Sequence, residues 1–241
     1  MNRILFEQSE INSDGRVTIS DARAEHILNI LHGEVGQLIK TGTIDGLIGT
    51  STILEINSAA VTLQTNHTEK SVAPWVDLIL APPRPRALKR LLPQLATLGV
   101  GRLILVGAKK VEKDFWGATL LKREIYRPLL IDGLMQAGTS ILPTIETTRN
   151  FRRFIRDELD AAFPTKNRIV AHPYGEGERG KSAAASNERL LLAVGPEGGW
   201  TDDEVALFEE KGFRRYSLGS RILRTDTALI ALLARFLPGL D

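Results

Sequence analysis

The chain has 241 residues, 43% hydrophobic and 25% charged, with a formal net charge of +2, which is enough for one large domain or two small ones. It holds no cysteine, so disulfides, thiolate metal sites and cysteine nucleophiles are excluded together. No apolar run reaches the roughly 18 residues of a membrane span, the start MNRILFEQSE lacks a signal-peptide core, and the four histidines, His26, His32, His67 and His172, have no zinc-site spacing. The expectation is a cytoplasmic protein with neither membrane segment nor metal.

From residue 1 to about 70, short alternating runs at 17–19, 38–40, 47–53 and 61–65, separated by Gly, Asn and Asp, predict a small β-barrel. One helix at about 21–31 interrupts it, and residues 67–74 read as a linker. From residue 75 strands alternate with helices, which implies a parallel sheet covered on both faces. A strand at 77–81 leads into a helix over 86–100, where Leu88, Leu91, Leu92, Leu95 and Leu98 recur at helical spacing as core. A strand at 103–106, a helix from about 118 to 135, a short basic helix at 149–159 and a strand at 168–172 follow. Residues 175–187, polar and rich in Gly, Ala and Ser, read as an exposed, mobile loop.

Two glycine-anchored segments come last. In LAVGPEGGW, residues 192–200, an apolar strand beginning at Leu190 runs into a turn at Gly195, Gly198 and Gly199, and Thr201 with Glu204 makes a capping box that starts a helix. In LGSRILRTDTALIALL, residues 218–233, the strand is expected at 216–218, with Gly219 as the turn and Thr225 or Asp226 as the helix cap. That helix carries no charge from Ala228 to Ala234, so it is buried on every side or lies in a subunit interface. Strand–turn–helix passages bring backbone N–H and C=O groups up to a small ligand, and two of them can build a pocket. Neither is a phosphate loop.

Charge is unevenly spread. Residues 1–70 carry five Lys/Arg against nine Asp/Glu, while residues 80–156 carry fifteen against five. An anion such as RNA is expected to meet the middle region, at residues including Arg84, Arg86, Arg152 and Arg153, unless these clusters are solvated helix faces. The acidic first domain leaves room for only a narrow RNA contact around His32 and Lys40.

Together, GPEGG at 195–199 and LGSRILRTDTA at 218–228 resemble the SPOUT-class RNA methyltransferases and, among them, the RsmE family, which methylates uridine N3 of small-subunit (16S) ribosomal RNA. That family typically shows L-G-x-R-I-L-R-T-E-T-A. The chain departs from it in the helix before Leu98, where K-A-T-E-L-G-V becomes Q-L-A-T-L-G-V and the usual Lys and Glu are missing at Gln94 and Thr97, and at His32, where Arg is usual. The resemblance implies an α/β fold: a SPOUT (trefoil-knot) methyltransferase domain over 75–241 behind a small PUA-like, RNA-binding β-barrel over 1–70. It also implies S-adenosylmethionine as cofactor, small-subunit ribosomal RNA or the assembled subunit as partner, and a homodimer. A catalytically silent RNA-binding or ribosome-assembly protein that kept the fold is the alternative.

Chemistry then falls to few groups. Methylating uridine N3 removes a weakly acidic proton and spreads charge onto the flanking carbonyl oxygens, a task that suits a planar, permanently charged guanidinium. Arg224 is the candidate for that group, Arg221 for an RNA-phosphate contact, and Glu197 and Asp226 for the base, with turn and helix capping as the competing role of both carboxylates. Val194, Gly195, Gly199, Leu218, Gly219, Ile222 and Leu223 are expected to hold the cofactor, with His172 beside them, although the glycines could serve only their turns. Trp116 and Trp200 are candidates to stack a flipped base, or else to pack a loop onto the core.

Overall fold

The computed structural model describes residues 2–173 and 188–238, so the expected loop at 175–187 lies outside the described residues. The chain divides into two units, Met1–Ala73 with Ile131–Leu142, and Pro74–Leu130 with Pro143–Asp241.

In the first unit, β1 (Ile4–Phe6), β2 (Arg16–Ile19), β3 (Leu38–Thr43), β4 (Ile48–Ile56) and β5 (Val61–Glu69) form a mixed sheet in the order β1-β3-β4-β5-β2. Only β1 and β3 pair in parallel. Val17 and Ile19 alternate inward with Val61 and Leu63, and α1 (Ala22–Asn29) closes this core with Ala24 and Ile27. The Asp21 side chain caps α1 by accepting from the Arg23 backbone N–H, and the Arg23 guanidinium ties Asp21 to Glu10. His32 follows in a left-handed turn, φ 48°, and is exposed. The linker expected at 67–74 starts later, because β5 runs on to Glu69. His67 is thereby held between the hydroxyls of Thr41 at 2.8 Å and Thr43 at 3.1 Å. Burial, with the Arg3 guanidinium nearby, lowers its pKa. Residues 131–142 join this unit through the Met135 carbonyl, which accepts from the backbone N–H groups of Asn2 and Arg3.

The second unit is a six-stranded sheet of β6 (Val76–Leu80), β7 (Val100–Val106), β8 (Thr144–Thr148), β9 (Arg168–Ala171), β10 (Leu190–Val194) and β11 (Arg214–Tyr216). The order is β11-β9-β10-β6-β7-β8, and every pair is parallel. Covered on both faces, β6 and β10 are buried at every residue, which explains why β10 reads as an unbroken apolar run. Helix α2 (Pro85–Thr97) starts on a proline at its first position and buries Leu88, Leu91, Leu92 and Leu95. Leu98 then ends the helix: its carbonyl accepts from the Trp75 indole N–H at 2.7 Å, ahead of Gly99 at φ 81°.

Helix α3 (Arg123–Ala137) begins after two 3-10 turns, Lys113–Gly117 and Thr119–Leu121, and so later than residue 118. The basic segment at 149–159 forms α4 (Phe151–Arg153), then a π-helical turn (Phe154–Glu158), then α5 (Leu159–Ala162). Helices α6 (Asp202–Glu210) and α7 (Thr225–Phe236) follow β10 and β11. The Thr201–Glu204 capping box is present at the start of α6, with the Thr201 backbone N–H donating to Glu204 at 2.8 Å.

At the amino ends of the strands, the Arg168 side chain is 2% exposed, yet every arm of it is engaged. It donates to the carbonyls of Phe163, Thr165 and Lys211 and to the Asp160 carboxylate at 2.7 Å. Lys211 and Arg168 together push the Asp160 pKa down to about 2. A buried charge satisfied in this way is tolerated, and removing its partners would strand it.

Candidate functional site

Three neighbouring strands, β9, β10 and β11, end side by side, and a cleft opens at their carboxyl ends, where open parallel sheets bind ligands. The chain leaving β10 turns at Pro196, whose carbonyl accepts from the Gly199 backbone N–H at 2.8 Å. Gly195 must stay small, because a Cβ there would lie 3.0 Å from the Trp200 backbone nitrogen. Gly199, at φ 68°, and Gly219, at φ 122°, adopt conformations that L side chains avoid, and a Cβ on either would point into open space. Thr225 at the start of α7 brings its hydroxyl to within 3.3 Å of the Gly195 carbonyl, joining the two glycine segments.

All of the residues expected to hold a cofactor, His172, Val194, Gly195, Gly199, Leu218, Gly219, Ile222 and Leu223, line this one cleft. Its apolar wall is unusually open, with Ile222 64%, Leu218 39% and Leu223 37% exposed. His172, by contrast, is buried at the back. Burial, then the Arg215 guanidinium, lower its pKa and favour the neutral ring. Pro196, Tyr216, Thr225 and Ala228 also line the cleft, though none was expected to hold a ligand. Thr225 alone had a legible signal, but as a cap.

The charged candidates separate. Arg221 and Glu197 line the cleft, and the Glu197 carboxylate accepts from the Arg84 backbone N–H at 3.3 Å. Arg224 does not line it. It is the exposed N-cap of α7, where its carbonyl accepts from the Ala228 N–H and its side chain makes no capping bond. The cap therefore falls one residue before Thr225, and the Thr225 hydroxyl is free for Gly195. Asp226 points elsewhere, 3.7 Å from Arg90 on α2, and accepts from the Thr227 N–H. The strand expected at 216–218 is β11, two residues earlier, since the Ser217 hydroxyl takes the Gly219 N–H at 3.2 Å and the chain has already turned.

Among the basic residues, Arg84 pairs with Glu112, Arg152 with Asp203 and Arg153 with Glu158, all on exposed surface, and Arg86 is exposed at the start of α2. Trp200 cannot stack a base. It is 3% exposed, packed against Phe151 and Phe208 in the core. Trp116 meets Phe115 edge-on and carries the Arg149 guanidinium 5.8 Å above its ring. Among the described residues no group of three His, Asp or Glu could hold a metal ion, and no helix is long and apolar enough to cross a membrane.

Comparison with known proteins adds three findings. Residues 69–237 match the RNA methyltransferase domain family. The chain is similar to the ribosomal RNA small subunit methyltransferase E of Treponema pallidum, 32% identical over 97% of this chain and 90% of that protein. It is also similar to one of Borreliella burgdorferi, 26% identical over 91% of this chain and 90% of that protein. In fold it resembles the crystal structure of a ribosomal RNA small subunit methyltransferase E from Neisseria gonorrhoeae bound to S-adenosyl methionine. That likeness has a TM-score of 0.73 at 23% identity and covers 97% of this chain and 95% of the other.

Proposed function

Because this chain belongs to the RNA methyltransferase domain family and, within it, to the ribosomal RNA small subunit methyltransferase E proteins, we propose that it methylates N3 of one uridine in small-subunit (16S) ribosomal RNA with S-adenosylmethionine. The observation that carries this reading is the convergence of both glycine segments on one cleft. The cleft's residues fit the cofactor. Bare backbone at Gly199 and Gly219 leaves room for close approach, Leu218, Ile222 and Leu223 offer apolar walls to an adenine, and a donor without phosphates needs no cation to hold it. When bound, S-adenosylmethionine supplies an electrophilic methyl group.

Uridine N3 gives up its proton as the new N–C bond forms, and the ring's negative charge is delocalised onto its carbonyl oxygens. Arg224, exposed outside the cleft lining but between the cleft residues Leu223 and Thr225, reaches the base from solvent and stabilises that charge, and Arg221, at the cleft, binds an RNA phosphate. Glu197 receives the proton in preference to Asp226, whose carboxylate is already engaged by Arg90 and the Thr227 N–H. The second unit is read as a trefoil-knotted SPOUT domain and the first as a PUA-like barrel. A cytoplasmic homodimer completes the proposal, supported by the half-buried Ile230 and Ala231 and the exposed Ala234 on α7.

Mass spectrometry of ribosomal RNA from cells lacking the protein tests the substrate, with loss of a single 3-methyluridine as the expected result. An undiminished mark overturns the uridine assignment. Calorimetry that detects no heat with S-adenosylmethionine or its demethylated product overturns the cofactor site and leaves the silent RNA-binding reading.

A further inference from the structure

A second concavity of the Pro74–Leu130 and Pro143–Asp241 unit lies beside the cleft. It is a groove of about 510 Å3 lined by residues that include Gly107, Lys109, Arg149, Asn150, Arg152 and Glu204. Gly107 shapes it: its N–H donates to the Thr148 carbonyl at 2.8 Å, and a Cβ there would lie 2.4 Å from the Arg149 carbonyl. Only glycine lets the chain leaving β7 pass so close to the turn between β8 and α4, and that approach puts Lys109 and Arg149 on one groove.

Its charge is unbalanced. The Glu204 carboxylate is 7% exposed and taken up by the backbone N–H groups of Lys109 and Thr201, so it neutralises neither side chain. Asp203 pairs with Arg152 at 3.5 Å, loosely and on exposed surface. Among the described residues no carboxylate pairs with Lys109 or Arg149. Arg149 is instead braced over the Trp116 ring. Lys110, the residue after Lys109, donates from its ammonium to the Gly198 carbonyl at 2.7 Å, and Gly198 lines the cleft.

We propose that this groove is a single-stranded RNA subsite that binds the backbone flanking the target nucleotide, with Lys109, Arg149 and Arg152 on phosphates and Trp116 holding Arg149 in place. The volume suits a nucleotide rather than a lone ion, and two unpaired cations, Arg149 braced by an aromatic ring and Lys109, with Arg152 only loosely paired, are suited to a strand of phosphates. The assignment rests on the RNA methyltransferase reading, which it extends by saying where the substrate strand runs.

The test uses the full-length protein and a fluorescent oligouridylate of roughly ten nucleotides, titrated between about 50 and 200 mM salt. Lys109→Ala with Arg149→Ala should weaken binding on the order of tenfold and lower the slope of log affinity against log salt by about 0.7 for each contact removed. Lys166→Ala, which removes an exposed cation just before the amino end of β9 and outside the groove lining, should leave the slope nearly unchanged. Trp116→Leu should reduce affinity while keeping most of the slope. Equal effects from the Lys166 variant and the groove variants, or an unchanged slope in the double variant, would overturn the subsite. Calorimetry of the same variants with S-adenosylmethionine separates the two readings: normal cofactor binding with an unchanged slope sinks the groove alone, whereas absent cofactor binding in the parent protein sinks the methyltransferase reading.

Discussion

Ile222 offers a clean separation of binding from folding. With 64% of its surface exposed, the side chain contributes little to the folded chain, yet it stands on the wall of the cleft. Ile222→Ala removes three carbons, and at about 0.8 kcal/mol per buried methylene their full covering by a ligand is worth about 2.4 kcal/mol. Only the exposed share is left for a ligand to cover, so the loss comes to about 1.5 kcal/mol, roughly tenfold in the dissociation constant. Thermal unfolding of the free protein should shift within the range of about ±0.5 kcal/mol seen for surface changes. Leu229→Ala is the contrast. Leu229 is fully buried on α7, so this change should cost about 2–5 kcal/mol of stability. Calorimetry with S-adenosylmethionine on the folded Ile222 variant decides the matter, and affinity equal to the parent's would mean that the exposed wall does not hold the cofactor.

Arg224→Ala should cut single-turnover methylation by about a hundredfold or more with cofactor affinity kept, because its charge matters only as the transition state forms. Arg221→Ala should mainly weaken RNA binding, and the reverse pattern would exchange their roles. In the first unit the His67 pKa is lowered on folding, so below its ordinary 6.5 the unfolded chain takes up a proton that the folded chain refuses. Stability measured by urea unfolding should therefore fall as pH drops below about 6.5, and His67→Gln should flatten that dependence. Asp160, held near 2 by Lys211 and Arg168, acts in another window: its contribution is complete above its ordinary 3.8 and is lost as pH falls toward about 2. Asp160→Asn should remove that part of the acid transition.

What could be read from the sequence was local. The apolar run 190–194 is β10 to the residue, the Thr201–Glu204 box starts α6, and the leucines of α2 face the core as their spacing requires. Both glycine segments meet at one cleft because their strands are close neighbours in the sheet. What escaped depended on distant partners. β1 is only three residues long and becomes a strand by pairing in parallel with β3. Asp226 looked like a base or a cap until α2 set Arg90 beside it. Gly107 gave no hint of a groove, since the groove exists only where β7 and the β8–α4 turn nearly touch.

Strand β8 has a consequence for solubility. It is one of the two outer members of the parallel sheet, and an uncovered edge offers unpaired N–H and C=O groups to any other strand. Its sequence, Thr-Ile-Glu-Thr-Thr, is mostly exposed, and Glu146 is held 3.1 Å from Arg102 on the neighbouring strand. A charge at the middle of the edge makes stacking of copies edge to edge unfavourable, although the strands behind it are among the most apolar in the chain. Glu146 thus discourages further strand pairing at this edge.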